Sequence, residues 1–116
     1  MKDLPLASVS LDADDLWAYL RTHGDAAWEQ HPSYLPRFYD LAFELFESLR
    51  LRITFFIVGF DATREANGAA LASLAARGHE VGHHSFSHEY TLSREPAQLI
   101  DQEIALAAAA TLSPPA

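Results

Sequence analysis

The chain has no cysteine, so disulfide bridges and thiolate metal sites are excluded. It is short of basic charge: 8 Lys and Arg stand against 16 Asp and Glu, a formal net charge of −8. Nucleic acid is therefore not an expected partner, because phosphate contacts need clustered cations. No apolar run approaches the ~20 residues that a membrane helix requires. Met1-Lys2-Asp3-Leu4-Pro5-Leu6 has no long apolar stretch after its lysine, so neither a secretory leader nor a membrane partner is expected, and the simplest reading is a cytoplasmic protein. What the chain does have is apolar bulk. At 116 residues and 49% hydrophobic, it suits one globular domain at most, with a modest core.

Along the chain, elements of two periodicities alternate. Val9-Ser10-Leu11-Asp12 alternates with period two and reads as a short strand. Residues 16–32, aromatic and punctuated by Gly24 and Pro32, read as irregular. Leu35, Phe38, Ala42, Leu45 and Leu49 recur at helical spacing, with Ser33 as the N-cap and Pro36 in the first turn. Ile53-Thr54-Phe55-Phe56-Ile57-Val58, stopped by Gly59, predicts a strand buried on both faces. Residues 69–77 predict a helix ended by Gly78, and Glu80-Val81-Gly82-His83 a third strand. Ser93 is expected to cap a last helix, with Pro96 in its first turn and Leu99, Ile100, Ile104 and Leu106 as its apolar positions. That helix runs into an alanine tract and stops at Ser113-Pro114-Pro115-Ala116. The order βαβαβα predicts an α/β fold with a parallel sheet and right-handed crossovers. Such sheets place ligands at the carboxyl ends of their strands.

Two polar clusters fall at those ends. Asp12-Ala13-Asp14-Asp15 follows the first strand, and four of the six histidines, His79, His83, His84 and His88, lie around the third. Taken singly, an aspartate cluster after a strand is ordinarily a turn or a helix cap, and a histidine pair four apart is ordinarily solvated. Their convergence on one sheet edge changes the balance. His84 and His88 with one carboxylate would make a facial set that leaves positions open for water and substrate. It suits zinc, iron, cobalt, manganese or nickel, and spacing does not choose among them. Trp17, Tyr19, Trp28 and Tyr34 lie between the clusters; core packing is the plainer expectation for each ring, a platform for a sugar face the sharper one.

The segment Gly78-His79-Glu80-Val81-Gly82-His83-His84-Ser85-Phe86-Ser87-His88 resembles the G-H-E-[IV]-G-x-H-[ST]-x-x-H motif of the polysaccharide deacetylases (the NodB-homology type, carbohydrate esterase family four). Ile53 to Gly59 looks like the second strand of that family, and Val9 to Asp14 sits where the family carries its aspartate motif. The three segments follow the family's order over roughly residues 7–112. The resemblance implies a distorted (β/α)-barrel and a metal-dependent hydrolase that removes N-acetyl or related acyl groups from a carbohydrate. It implies a divalent metal, zinc first among the candidates, held by Asp14, His84 and His88. Asp12 becomes the general base, Asp15 the competing metal carboxylate, and Ser85 a residue that orients the motif.

The resemblance also sets an expectation of incompleteness. A full barrel of this kind runs to ~250 residues, whereas three βα units are legible here. The family's later motifs include an arginine supporting the base, a tryptophan-bearing wall and a Leu-x-His whose histidine is the general acid, and no segment here matches them. His23 and His31 precede the second strand and do not sit where that acid belongs. Residues 1–116 are thus expected to be the N-terminal part of a truncated deacetylase domain. Its third strand would present an open edge prone to self-association. The alternative reading is a non-catalytic metal-binding or assembly fragment.

Overall fold

The computed structural model describes residues 3–112; Met1 and Lys2, and the stop at residues 113–116, lie outside them. Three parallel strands, β1 (Ser10–Ala13), β2 (Thr54–Ile57) and β3 (Glu80–His83), form one sheet in the order β1-β2-β3. Five helices connect or flank them: α1 (Leu16–Thr22), α2 (Leu35–Ser48), α3 (Gly59–Ala62), α4 (Glu65–Ala76) and α5 (Ala97–Leu112). Parallel strands adjacent in both sequence and space, with helices in every crossover, make this an α/β arrangement consistent with part of a deacetylase-type barrel. None of the described helices is long and apolar enough to cross a membrane.

The register decides which side chains meet. Asp12, Phe56 and Gly82 are lateral partners, as are Ala13, Ile57 and His83. Because successive side chains alternate faces, Phe55 and Ile57 enter the core beneath α2 and α4, where they are buried with Leu35, Tyr39, Phe43, Leu71 and Leu74. Thr54 and Phe56, on the opposite face, are only half-buried. The expected strand buried on both faces is thus corrected to one fully covered face. The Phe56 ring lies over Gly82, where a Cβ would come within 2.7 Å of it.

Several helical expectations shift. Residues 16–22, read as irregular, form α1, whose N-cap Asp15 accepts a 2.7 Å hydrogen bond from Leu16 N. The N-cap of α2 is Tyr34, not Ser33, although Ser33 Oγ accepts from Leu35 N. Its inward stripe is Leu35, Phe38, Tyr39, Ala42, Phe43 and Phe46, whereas Leu45 and Leu49 are exposed. Helix α4 starts at Glu65 and ends before Gly78, whose φ of +84° is the left-handed conformation that stops a helix at low cost to glycine.

The last helix differs most. Ser93 sits in a 3-10 turn (Leu92–Arg94), and α5 starts at Ala97, with Pro96 O accepting from Leu99 N and Ile100 N. Its buried positions are Glu103, Ala107 and Thr111, while Leu99, Ile104 and Leu106 are exposed. Small residues face inward because α5 packs tightly on α3. A Cβ on Gly59 would lie 2.7 Å from the Phe86 ring and 3.0 Å from Ala107 Cα. Gly59→Ala is therefore expected to cost about 1–3 kcal/mol through overpacking, read as a lower urea midpoint; an unchanged midpoint would show that α5 yields freely.

Candidate metal centre

Strand alternation builds the site. Asp12 and Asp14 fall on one face of β1 and its extension, and Gly82 and His84 fall on the same face of β3 and its extension. The loop after β3 is fixed by main-chain bonds: His84 N donates to Ile57 O, Gly59 N to Ser85 O, and Phe60 N to Phe86 O, all at 2.8–2.9 Å. The loop then turns so that His88 comes back beside His84, with ring centroids 5.1 Å apart.

The result is a compact donor set. His84 Nε2 lies 3.6 Å from Asp14 Oδ1, and His88 Nε2 lies 3.3 Å from Asp14 Oδ2. Asp14, His84 and His88 each offer one ligand atom, and these atoms lie within 4.8 Å of one another. Asp14 Oδ1 is buried and accepts no hydrogen bond among the described residues. A buried carboxylate oxygen without a donor is the kind of group a cation satisfies, so the residues fit a divalent ion. Two imidazoles and a carboxylate suit zinc and its first-row neighbours alike. The contact with His88 holds the Asp14 carboxyl below its ordinary range despite the opposing effect of burial, and the charges of His88 and His84 add to it. Reciprocally, Asp14 raises His88, while burial and Arg21 oppose the rise.

Asp12 joins the edge of this cluster, its Oδ2 3.8 Å from His84 Nε2. Asp15 does not. Its carboxylate is fully buried in capping α1, accepts from Tyr34 N at 3.3 Å and faces Arg64 at 3.5 Å. Of the two aspartates, Asp14 is the one whose carboxylate lies against both His84 and His88. His79 is also turned away: it is buried, stacked on Phe43, and its Nδ1 accepts from Ile53 N. Ser85 contributes a left-handed backbone, φ +57°, to the loop.

The aromatic residues divide. Trp17 is a core residue whose Nε1 donates to Asp61 Oδ1 at 2.7 Å, and Trp28 packs against it. Tyr19 and Tyr34 remain exposed and line, with Tyr90, a cavity of about 330 Å³ beside Asp14 and His88. A second cavity of about 420 Å³ is lined by His83, His84, His88, Tyr90 and Ile104. Tyr90, missing from the sequence reading, borders both cavities; the one signal available was an aromatic residue two positions past the histidine motif.

Parallel strands, helical crossovers and a two-histidine, one-carboxylate cluster at the carboxyl edge of the sheet define a class of α/β protein built around a metal-type donor set. The family model described as polysaccharide deacetylase matches residues 8–110, and the chain belongs to that family. Neither the curated proteins nor the solved structures yield a match.

Proposed function

We propose that this chain carries the metal-binding part of a carbohydrate deacetylase site, acting in hydrolysis of N-acetyl or related acyl groups. The observation that carries the reading is the meeting of Asp14, His84 and His88 from two separate strand ends. In this reading those three residues hold a divalent cation, zinc foremost. Such a cation, when bound, supplies Lewis acidity and lowers the pKa of a water molecule. Asp12, at the rim of the cluster, accepts a proton from the attacking water as general base. The tyrosine-lined cavity beside Asp14 offers flat rings to an N-acetylated sugar.

A second reading is favoured by the remaining histidines. His23 and His31 line neither of the two cavities beside the cluster, so neither stands where it would protonate a leaving amine. On that ground the chain by itself would be a metal-binding fragment of such an enzyme. The open edge of β3, which among the described residues pairs only with β2, is where self-association would occur.

Elemental analysis of the purified chain and of a His84→Ala/His88→Ala variant tests the reading. About one metal per chain is expected in the first and none in the second, with both giving the same circular dichroism. Deacetylation of an N-acetylated oligosaccharide by the first alone supports the enzyme; metal without turnover supports the fragment; no metal in either defeats both. Sedimentation of the same samples reports whether the chain self-associates.

A further inference from the structure

The loop that delivers His88 is held in a costly shape. Ser85 and His88 both occupy the left-handed region, at φ +57° and +54°, without being glycine. Each such residue costs about 1–3 kcal/mol and persists only where its surroundings over-determine it. Two side chains from distant parts of the chain supply that constraint. Glu103, buried in the middle of α5, accepts from Phe86 N at 3.2 Å and Ser87 N at 2.9 Å through Oε2, and from Ser87 Oγ at 2.7 Å through Oε1. Arg21, in the last turn of α1, donates from Nη2 to Ser87 O at 2.7 Å and more weakly to His88 O at 3.4 Å. Its guanidinium lies over the rings of Trp17 and Trp28, 5.3 and 5.8 Å from their centroids, which fixes its fork.

The loop is thus gripped through its N–H groups by a carboxylate and through its carbonyls by a guanidinium. Hydrogen bonds with one charged partner are the stronger kind. Both oxygens of Glu103 are spent on the loop, and Glu103 is not a member of the ligand cluster. A buried acid on the inner stripe of an alanine-rich helix has no packing reason to be there; its bonds to the loop are the reason.

We infer that Glu103, assisted by Arg21, is a positioning residue that presets His88 toward Asp14 and His84 before a cation arrives. The inference rests on the metal-centre reading above. The test is a cobalt(II) titration of the full chain, followed by the visible absorption of the bound ion, with circular dichroism of the metal-free proteins alongside. Glu103→Ala should weaken cobalt binding at least about tenfold, the usual scale for losing an outer-shell support. Glu103→Gln should stay within about threefold of the wild type, because its carbonyl oxygen can still accept the amides and its amide can donate to Ser87 Oγ. Glu103→Ala binding as tightly as the wild type, or Glu103→Gln losing as much as Glu103→Ala, would overturn the inference. If Glu103→Ala does not fold, Ser87→Ala decides: it deletes one bond of the grip, and about threefold weaker binding supports the inference while unchanged binding overturns it. Absence of cobalt binding by the wild type sinks the metal-centre reading itself, an outcome distinct from wild-type binding that Glu103→Ala matches.

Discussion

Asp12→Asn is expected to leave metal content and fold intact while lowering deacetylation by about 10²–10⁴-fold, the usual contribution of a positioned general base. The expectation follows from where the strand register puts the residue. Asp12 shares its face of the sheet with Phe56 and Gly82, and the Phe56 ring covers Gly82 rather than the carboxylate. Its side chain is 57% exposed, yet its Oδ2 is only 3.8 Å from His84 Nε2. It therefore stands within one water's reach of the donor cluster without belonging to it. Asparagine keeps the shape and loses the ability to take up a proton. The measurement pairs kcat on an N-acetylated oligosaccharide with elemental analysis of the same preparation. Full wild-type turnover in the variant would remove Asp12 from the mechanism. Loss of metal together with turnover would make it a ligand instead.

The parts of the site legible in the sequence are those encoded locally. The Gly-His-Glu run and the four-residue step from His84 to His88 sit on one strand and its loop, and Asp12 and Asp14 sit on another. Strand alternation brings Asp12, Asp14 and His84 to one face, whereas His88 returns to it through the loop that Glu103 and Arg21 hold. The parts that were not legible depend on long-range packing. Asp15 could have been ligand or cap by spacing alone; Arg64 and Tyr34 N, brought from elsewhere in the chain, hold it as the cap. Leu99, Ile104 and Leu106 carried the apolar signal of α5, but the approach of Ala107 to Gly59 turned the small-residue side inward and carried Glu103 with it. Glu103 has no pattern of its own: a lone acid in a helix looks solvent-facing until the three donors at residues 86 and 87 are in place.

Asp61→Asn should flatten the fall in stability between pH ~4 and ~6 and raise stability at neutral pH by about 3 kcal/mol. Asp61 is completely buried. Trp17 Nε1 donates to its Oδ1 at 2.7 Å, while its Oδ2 has no partner among the described residues. Burial pushes its carboxyl up from 3.8 to about 6; the Trp17 bond opposes this, the Asp15 charge reinforces it, and Arg64 and Asp14 add smaller effects of opposite sign. The same burial, with Asp61 and Asp15, drives the Tyr39 phenol upward. Below pH ~4 the acid is protonated folded and unfolded, and pH has no leverage through it. Between there and pH ~6 the unfolded chain releases a proton that the folded chain retains, so each unit of rising pH favours unfolding by about 1.4 kcal/mol. Above pH ~6 the folded acid ionises too, and the loss levels off. Asparagine can still accept from Trp17 but carries no charge to desolvate. Asp14 works in the opposite direction, since its lowered value adds stability as pH rises. The difference between the urea-unfolding free energies of wild type and variant, taken at each pH, cancels Asp14 and isolates Asp61. A difference that grows from near zero at pH 4 to its plateau above pH 6 is the expected result. Parallel curves across that range would mean that Asp61 stays ionised in the folded chain, its charge already met by Arg64.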